Sequence, residues 1–81
     1  MEKRIGTITI LITDRSRSAE INTHISDFSD IILCRQGLPF HEREVAVISL
    51  IVEGHPDRIN ALTGRLGRMP GVQCKAVLVN G

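Results

Sequence analysis

The chain predicts an α+β domain with the element order β-α-β-β-α-β, and three observations carry that prediction. Four β-branched or apolar runs are separated by two segments whose apolar residues recur at helical spacing. The two halves, each of about 40 residues, echo one another: Ile21-Asn22 and Ile59-Asn60 hold matching places in the helical segments, and Cys34 and Cys74 fall in the strands that follow. The length of 81 residues suits one such domain, residues 1–81, with a thin core.

Each element has its own local cause. Residues 5–13 form the first strand, because Ile8, Ile10 and Ile12 alternate with Thr7, Thr9 and Leu11 in a β-branched run. Asp14 follows as a helix N-cap, its short carboxylate able to accept orphan backbone N–H groups. Over residues 15–28, Ile21, Ile25 and Phe28 make one apolar stripe and leave Arg17, Glu20, Asn22 and Asp27 to solvent. Asp30 to Gln36 reads as the second strand, which Gly37-Leu38-Pro39 is expected to end. Residues 45–53 form the third. Gly54-His55-Pro56-Asp57 then opens a second helix, with proline at its first position and an acid in its first turn. Ile59, Leu62, Thr63 and Leu66 mark its inner face, and Gly67 is expected at the left-handed cap position. Met69-Pro70-Gly71 turns the chain into the fourth strand, Val72 to Val79.

Two split β-α-β halves define a ferredoxin-like sandwich: a four-stranded antiparallel sheet of order 4-1-3-2 with both helices on one face. That order puts Cys34 and Cys74 on opposite edges, three strand spacings or roughly 14 Å apart. An internal disulfide needs Cα atoms within about 7 Å, so the pair is expected to stay free.

The other sheet face has no helices to cover it. A face that meets water should carry polar residues at alternate positions. The third strand instead places Val45, Val47 and Ile51 on one side and Ala46, Ile48, Leu50 and Val52 on the other. The fourth adds Val77 and Val79 to one side and Val72, Ala76 and Leu78 to the other. Such a patch is unusual on a soluble monomer. The expectation is a homo-oligomer, a homodimer or homotetramer, that buries the open face or extends the sheet at an edge.

Composition removes several functions. Ten Lys plus Arg against nine Asp plus Glu leave a net charge of +1, without the basic footprint of a direct nucleic-acid or anionic-membrane binder. Phe28 and Phe40 are the only aromatics, which disfavours base stacking and an RNA-recognition domain. No apolar run approaches the roughly 20 residues of a membrane span. Met1-Glu2-Lys3-Arg4 is charged and no apolar leader follows it, so the chain reads as cytoplasmic with free thiols.

The candidates for chemistry are few. His24, His41, His55, Cys34 and Cys74 share no metal-ligand spacing, so no metal and no cofactor are expected. Cys34 follows three apolar residues and reads as a small packed side chain, with no base to activate it; the chain is not read as an enzyme. The turn Asp14-Arg15-Ser16-Arg17-Ser18 is the best candidate for a small anionic effector. A helix N-terminus offers N–H donors there, and two arginines and two hydroxyls add more. Gly64 lies inside a helix at a cost of about 1 kcal/mol relative to Ala. It is read as a point of close approach, to packing within the chain, to a ligand or to a neighbouring subunit, where Gly64 and Arg65 would face the turn. No glycine-rich anion loop or paired-cysteine loop follows the first strand, so the acylphosphatase and copper-chaperone variants of this topology are set aside.

Arg35-x-Gly37-x-Pro39, Leu62-Thr63-Gly64-Arg65-Leu66-Gly67, Gly71-Val72 and Lys75 together resemble the iron-only hydrogenase system regulator family. Its members are small stand-alone ACT-like domains, similar to the C-terminal domain of nickel-responsive regulators. The resemblance implies a regulatory role, exerted through effector binding between subunits. The His and Cys ligands of the nickel-responsive domain are absent here, as is the glycine of amino-acid-binding ACT domains in the first strand–helix turn. No DNA-binding segment accompanies the domain, so the resemblance implies action through another regulatory protein. The rival reading is a structural interaction domain with no small-molecule ligand.

Overall fold

In a computed structural model the structure describes residues 2–40 and 43–79. The elements are β1 (Arg4–Ile12), a 3-10 turn at Arg15–Arg17, α1 (Ser18–Asp27), a second 3-10 turn at Ser29–Ile31, β2 (Ile32–Phe40), β3 (Val45–Gly54), α2 (Pro56–Gly67) and β4 (Val72–Leu78). The sheet is antiparallel in the order β2-β3-β1-β4, which is the expected 4-1-3-2 read from the other edge.

The core lies between one sheet face and the helices. Ile8, Ile10 and Ile12 of β1 meet Ile48, Leu50 and Val52 of β3 and Val72 of β4. Ile21, Ile25 and Phe28 from the α1 side and Ile59, Leu62 and Leu66 from α2 close over them. Both members of the internal echo behave alike: Ile21 and Ile59 are fully buried, while Asn22 and Asn60 face outward. At the far end of α1 two arginines of α2 clasp the fold. The Arg58 guanidinium stands 4.2 Å from the Phe28 ring centre and Arg65 stands 4.9 Å from it. Arg58 also donates to the Asp27 carbonyl at 3.0 Å and pairs with Asp30 at 2.8 Å.

Four expectations need correction. Gly37-Leu38-Pro39 does not end the second strand. β2 runs on to Phe40, because it is an edge strand and Pro39, opposite Ala46, needs no donor on its outer side. The first helix begins with a 3-10 turn rather than continuous α-helix, since Asp14 caps that turn. Gly67 is the last residue of α2 and not a left-handed cap; the left-handed glycine is Gly71, at φ 76°. Gly64 makes no close approach within the chain, for a Cβ built there meets nothing within 4 Å.

Gly71 is required on two counts. Its φ is positive, and a Cβ there would lie 2.6 Å from the Asp14 Cβ. Gly71→Ala is expected to lower the unfolding free energy by roughly 1–3 kcal/mol. Leu62→Ala, which opens a cavity in the core, should cost roughly 2–5 kcal/mol. Urea titration followed by circular dichroism measures both; a Gly71→Ala protein as stable as the parent would refute the account of the turn.

Candidate functional site

The turn between β1 and α1 is anchored from below. The Thr13 amide and hydroxyl both donate to the Gly71 carbonyl, at 2.8 and 3.1 Å. Asp14 then takes the N-cap position, with φ −122° and ψ 100°. Its Oδ1 accepts from the Ser16 amide at 3.1 Å and from the Ser16 hydroxyl at 2.6 Å. These two bonds, the hydroxyl first, hold the Asp14 carboxyl below the usual range, and the nearby Arg17 charge adds to the effect. Arg17 is engaged on both sides, 3.6 Å from Asp14 and 3.8 Å from Glu20. Arg15 is exposed and makes no side-chain hydrogen bond or ion pair among the described residues.

One of the N–H groups at this turn, that of Ser16, is therefore met by the chain's own carboxylate, while α1 itself starts at Arg17 without a side-chain cap. Beside the turn lies a concavity of about 480 Å³ lined by Thr13, Asp14, Arg15, Ser16 and Glu44. Two carboxylates and one free guanidinium border it, a mixed field that repels a bare polyanion. Gly64 and Arg65 are not brought to this turn within the protomer. Arg65 reaches instead to the far end of α1, where its Nη1 lies 3.4 Å from Asp27 Oδ2.

The uncovered sheet face mixes apolar and polar side chains in rows, where the sequence pattern predicts a more continuous apolar patch. The register sets Ile51 and Val77 beside Thr7, Ser49 and Lys75 beside Thr9, and Val47 and Gln73 beside Leu11. Cys34, Gln36 and Leu38 of β2 continue these three rows. Two rows rich in apolar side chains thus flank a polar middle row. Leu11, Leu38, Phe40, Ile51 and Val77 are each between 37% and 68% exposed on this one face.

Cys34 is exposed rather than packed, which corrects the sequence reading. A register shift between Ile32 and Cys34 leaves Leu33 unpaired and turns Cys34 onto the open face. Cys74 sits on the opposite edge strand, half-buried, and burial pushes its thiol up. His24 is half-buried, with Nε2 3.7 Å from Glu20. His55 precedes α2 without capping it through its side chain. His41 lies outside the described residues. Among the described residues no three His, Cys, Asp or Glu side chains converge as a metal site.

One constellation escaped the sequence reading. Arg35, Gly37 and Pro39 alternate along β2 opposite Leu50, Ile48 and Ala46, so all three share the helix-side face. There Arg35 Nη2 donates to Asn22 Oδ1 at 2.6 Å, across a groove of about 290 Å³. The signal is the i, i+2, i+4 spacing, which marks one face of a strand; reading Gly37 and Pro39 as the strand's end hides it.

These features define the class: a ferredoxin-like α+β sandwich with one sheet face bare and large apolar side chains exposed on it. The chain belongs to the TM1266-like family, described as "Iron-only hydrogenase system regulator, putative", whose model matches residues 4–76. It is 38% identical to the protein TM1266 of Thermotoga maritima, whose structure superposes with a TM-score of 0.91 over 98% of this chain and 100% of that one. Two more distant structures share the fold alone. The C-terminal domain of MgtC from Mycobacterium tuberculosis is 11% identical, with a TM-score of 0.72 over 94% of this chain and 87% of that one. CPII, a nitrogen regulatory PII-like protein from Thiomonas intermedia, is 9% identical, with a TM-score of 0.54 over 99% and 100%; its structure holds ADP, AMP and bicarbonate. No curated protein matches the chain.

The lowered aspartates give a pH prediction. Hydrogen bonding from Ser16 lowers Asp14, and hydrogen bonding from Arg58 lowers Asp30. A carboxyl lowered by folding contributes its full stability above the ordinary aspartate value of 3.8 and loses it as pH falls through the folded value. Urea midpoints should therefore be level near neutrality and fall below pH about 4. The Asp14→Asn/Asp30→Asn double variant should fall less steeply; a slope equal to the parent's would show that other groups drive the loss.

Proposed function

We propose that this protein is a homo-oligomeric regulatory module of an iron-only hydrogenase system, not an enzyme, and that it senses a small effector between its subunits. Residues 1–81 act in this reading as one ACT-like domain. The observation that carries the oligomer is the bare face: five large apolar side chains stand exposed where an isolated domain would place polar ones. The two apolar rows about a polar centre match their own copy under a twofold axis, so each surface buries its like. A homodimer or homotetramer satisfies this.

The effector site in this reading is the turn of Asp14, Arg15, Ser16 and Arg17, completed by Gly64 and Arg65 of a second subunit. Arg15 is the free cation of the turn, and the open space at Gly64 lets another backbone come close. Use of this fold for small-molecule sensing has a precedent in CPII, which was solved with ADP, AMP and bicarbonate bound. The output would pass to another regulatory protein rather than to DNA, and the working compartment would be the cytoplasm, where two unpaired cysteines stay reduced. One observation favours the rival, a scaffold without a ligand: the Asp14 carboxylate already accepts from the Ser16 amide at the start of the turn, where an anion would bind.

Native mass spectrometry of gently purified protein tests both parts. The expected spectrum is a dimer or tetramer carrying a defined added mass. Arg15→Ala/Arg17→Ala should lose the added mass and keep the assembly, whereas Leu11→Glu and Val77→Glu should give monomers. A monomeric parent would overturn the reading of the bare face. Assembly without added mass, unchanged by the arginine variants, would favour the scaffold.

A further inference from the structure

We infer that the groove between α1 and β2 is a second ligand site, complete within one protomer, that takes a short aliphatic carboxylate. Its floor is apolar and is supplied by the core: Ile12 and Ile48 reach it from β1 and β3, with Ala46 and Pro39 at its outer end. Its head is Arg35. The hydrogen bond to Asn22 Oδ1, at 2.6 Å, holds the guanidinium at the groove wall. A guanidinium has five N–H donors, and Arg35 is exposed, so those not on Asn22 face solvent and are open to a ligand.

No carboxylate among the described residues lies within ion-pair distance of Arg35, whereas Arg17, Arg58 and Arg65 all have acidic partners. An uncompensated guanidinium beside an apolar floor is the recognition pair for a carboxylate with a hydrocarbon tail. The fork of N–H groups donates to the two oxygens side by side, and the tail displaces water from the isoleucines. A phosphate would gain the first contact and lose the second, because its remaining oxygens would lie against hydrocarbon.

The groove's volume of about 290 Å³ stands at the low end for small-molecule sites and has room for a carboxylate with a short tail. Gly37 lines it beside open space, where a Cβ would meet nothing within 4 Å, so a larger side chain fits there and takes up part of the groove. The site is independent of the turn at Asp14–Arg17: it uses a different arginine and needs no second subunit.

A ¹H–¹⁵N NMR titration of the full chain with isovalerate, with inorganic phosphate as the control, tests the inference. Isovalerate should shift the amides of Asn22, Gly37 and Ala46 saturably, and phosphate should not. Arg35→Gln should weaken binding by about tenfold, the loss of one charge-assisted contact. Gly37→Val, whose side chain has room to fit, should abolish the saturable shifts while the β1 amides stay in place. Arg15→Ala should bind as the parent does. Three results would overturn the inference: no saturation, an equal response to phosphate, or affinity unchanged in both Arg35→Gln and Gly37→Val. Loss in Arg15→Ala with Arg35→Gln unaffected would assign the carboxylate to the turn, overturning this site and supporting the effector site proposed above.

Discussion

The inner row of β1 is what the rest of the structure depends on. Ile8, Ile10 and Ile12 are at most 2% exposed, and their strand is paired on both sides, with β3 and with β4. Burying each isoleucine is worth about 1.5–3 kcal/mol, and a shift of one residue would turn all three to the wrong face. That penalty fixes the register of both neighbouring strands. The helices follow, because their stripes have one apolar floor on which to close. The same alternation sends Thr7, Thr9 and Leu11 to the bare face, so the strand that secures the core also shapes the surface left over.

That surface and the charges around it divide the molecule by use. Arg58 and Arg65 lie over Phe28 and are tied to aspartates, which locks the far end of α1 to α2. Arg17 is held between Asp14 and Glu20. Arg15 and Arg35 are two of the arginines without an acidic partner among the described residues. They stand in different settings: Arg15 faces a polar concavity shared with two carboxylates, and Arg35 heads an apolar groove. Identical side chains thus present different chemistry, because local dielectric and neighbouring charge set what a guanidinium attracts.

The edges differ as well. β2 carries a register shift at Leu33 and a proline near its end, both of which discourage a further strand from pairing there. The described part of β4 has neither device. Cys34 and Cys74 mark these two edges and are held apart by the sheet between them.

Elements with a strong local pattern were legible in the chain alone. The β-branched alternation of β1, the stripes Ile21-Ile25-Phe28 and Ile59-Leu62-Leu66, and Pro56 at the start of α2 each state their structure within a few residues, and the split β-α-β repeat then determines the sheet order. The apolar residues of the bare face were legible too, since side-chain period in a strand is 2 whatever lies beside it. What tertiary structure decided was whatever depends on a neighbour distant in sequence. Pro39 stays in a strand because β2 happens to be an edge. Gly71, not Gly67, takes the left-handed conformation, at a turn where the distant Asp14 leaves no room for a Cβ. Cys34 faces outward because the pairing with β3 slips by one residue. The groove headed by Arg35 exists only because α1 sets Asn22 opposite β2, a juxtaposition that no local propensity encodes.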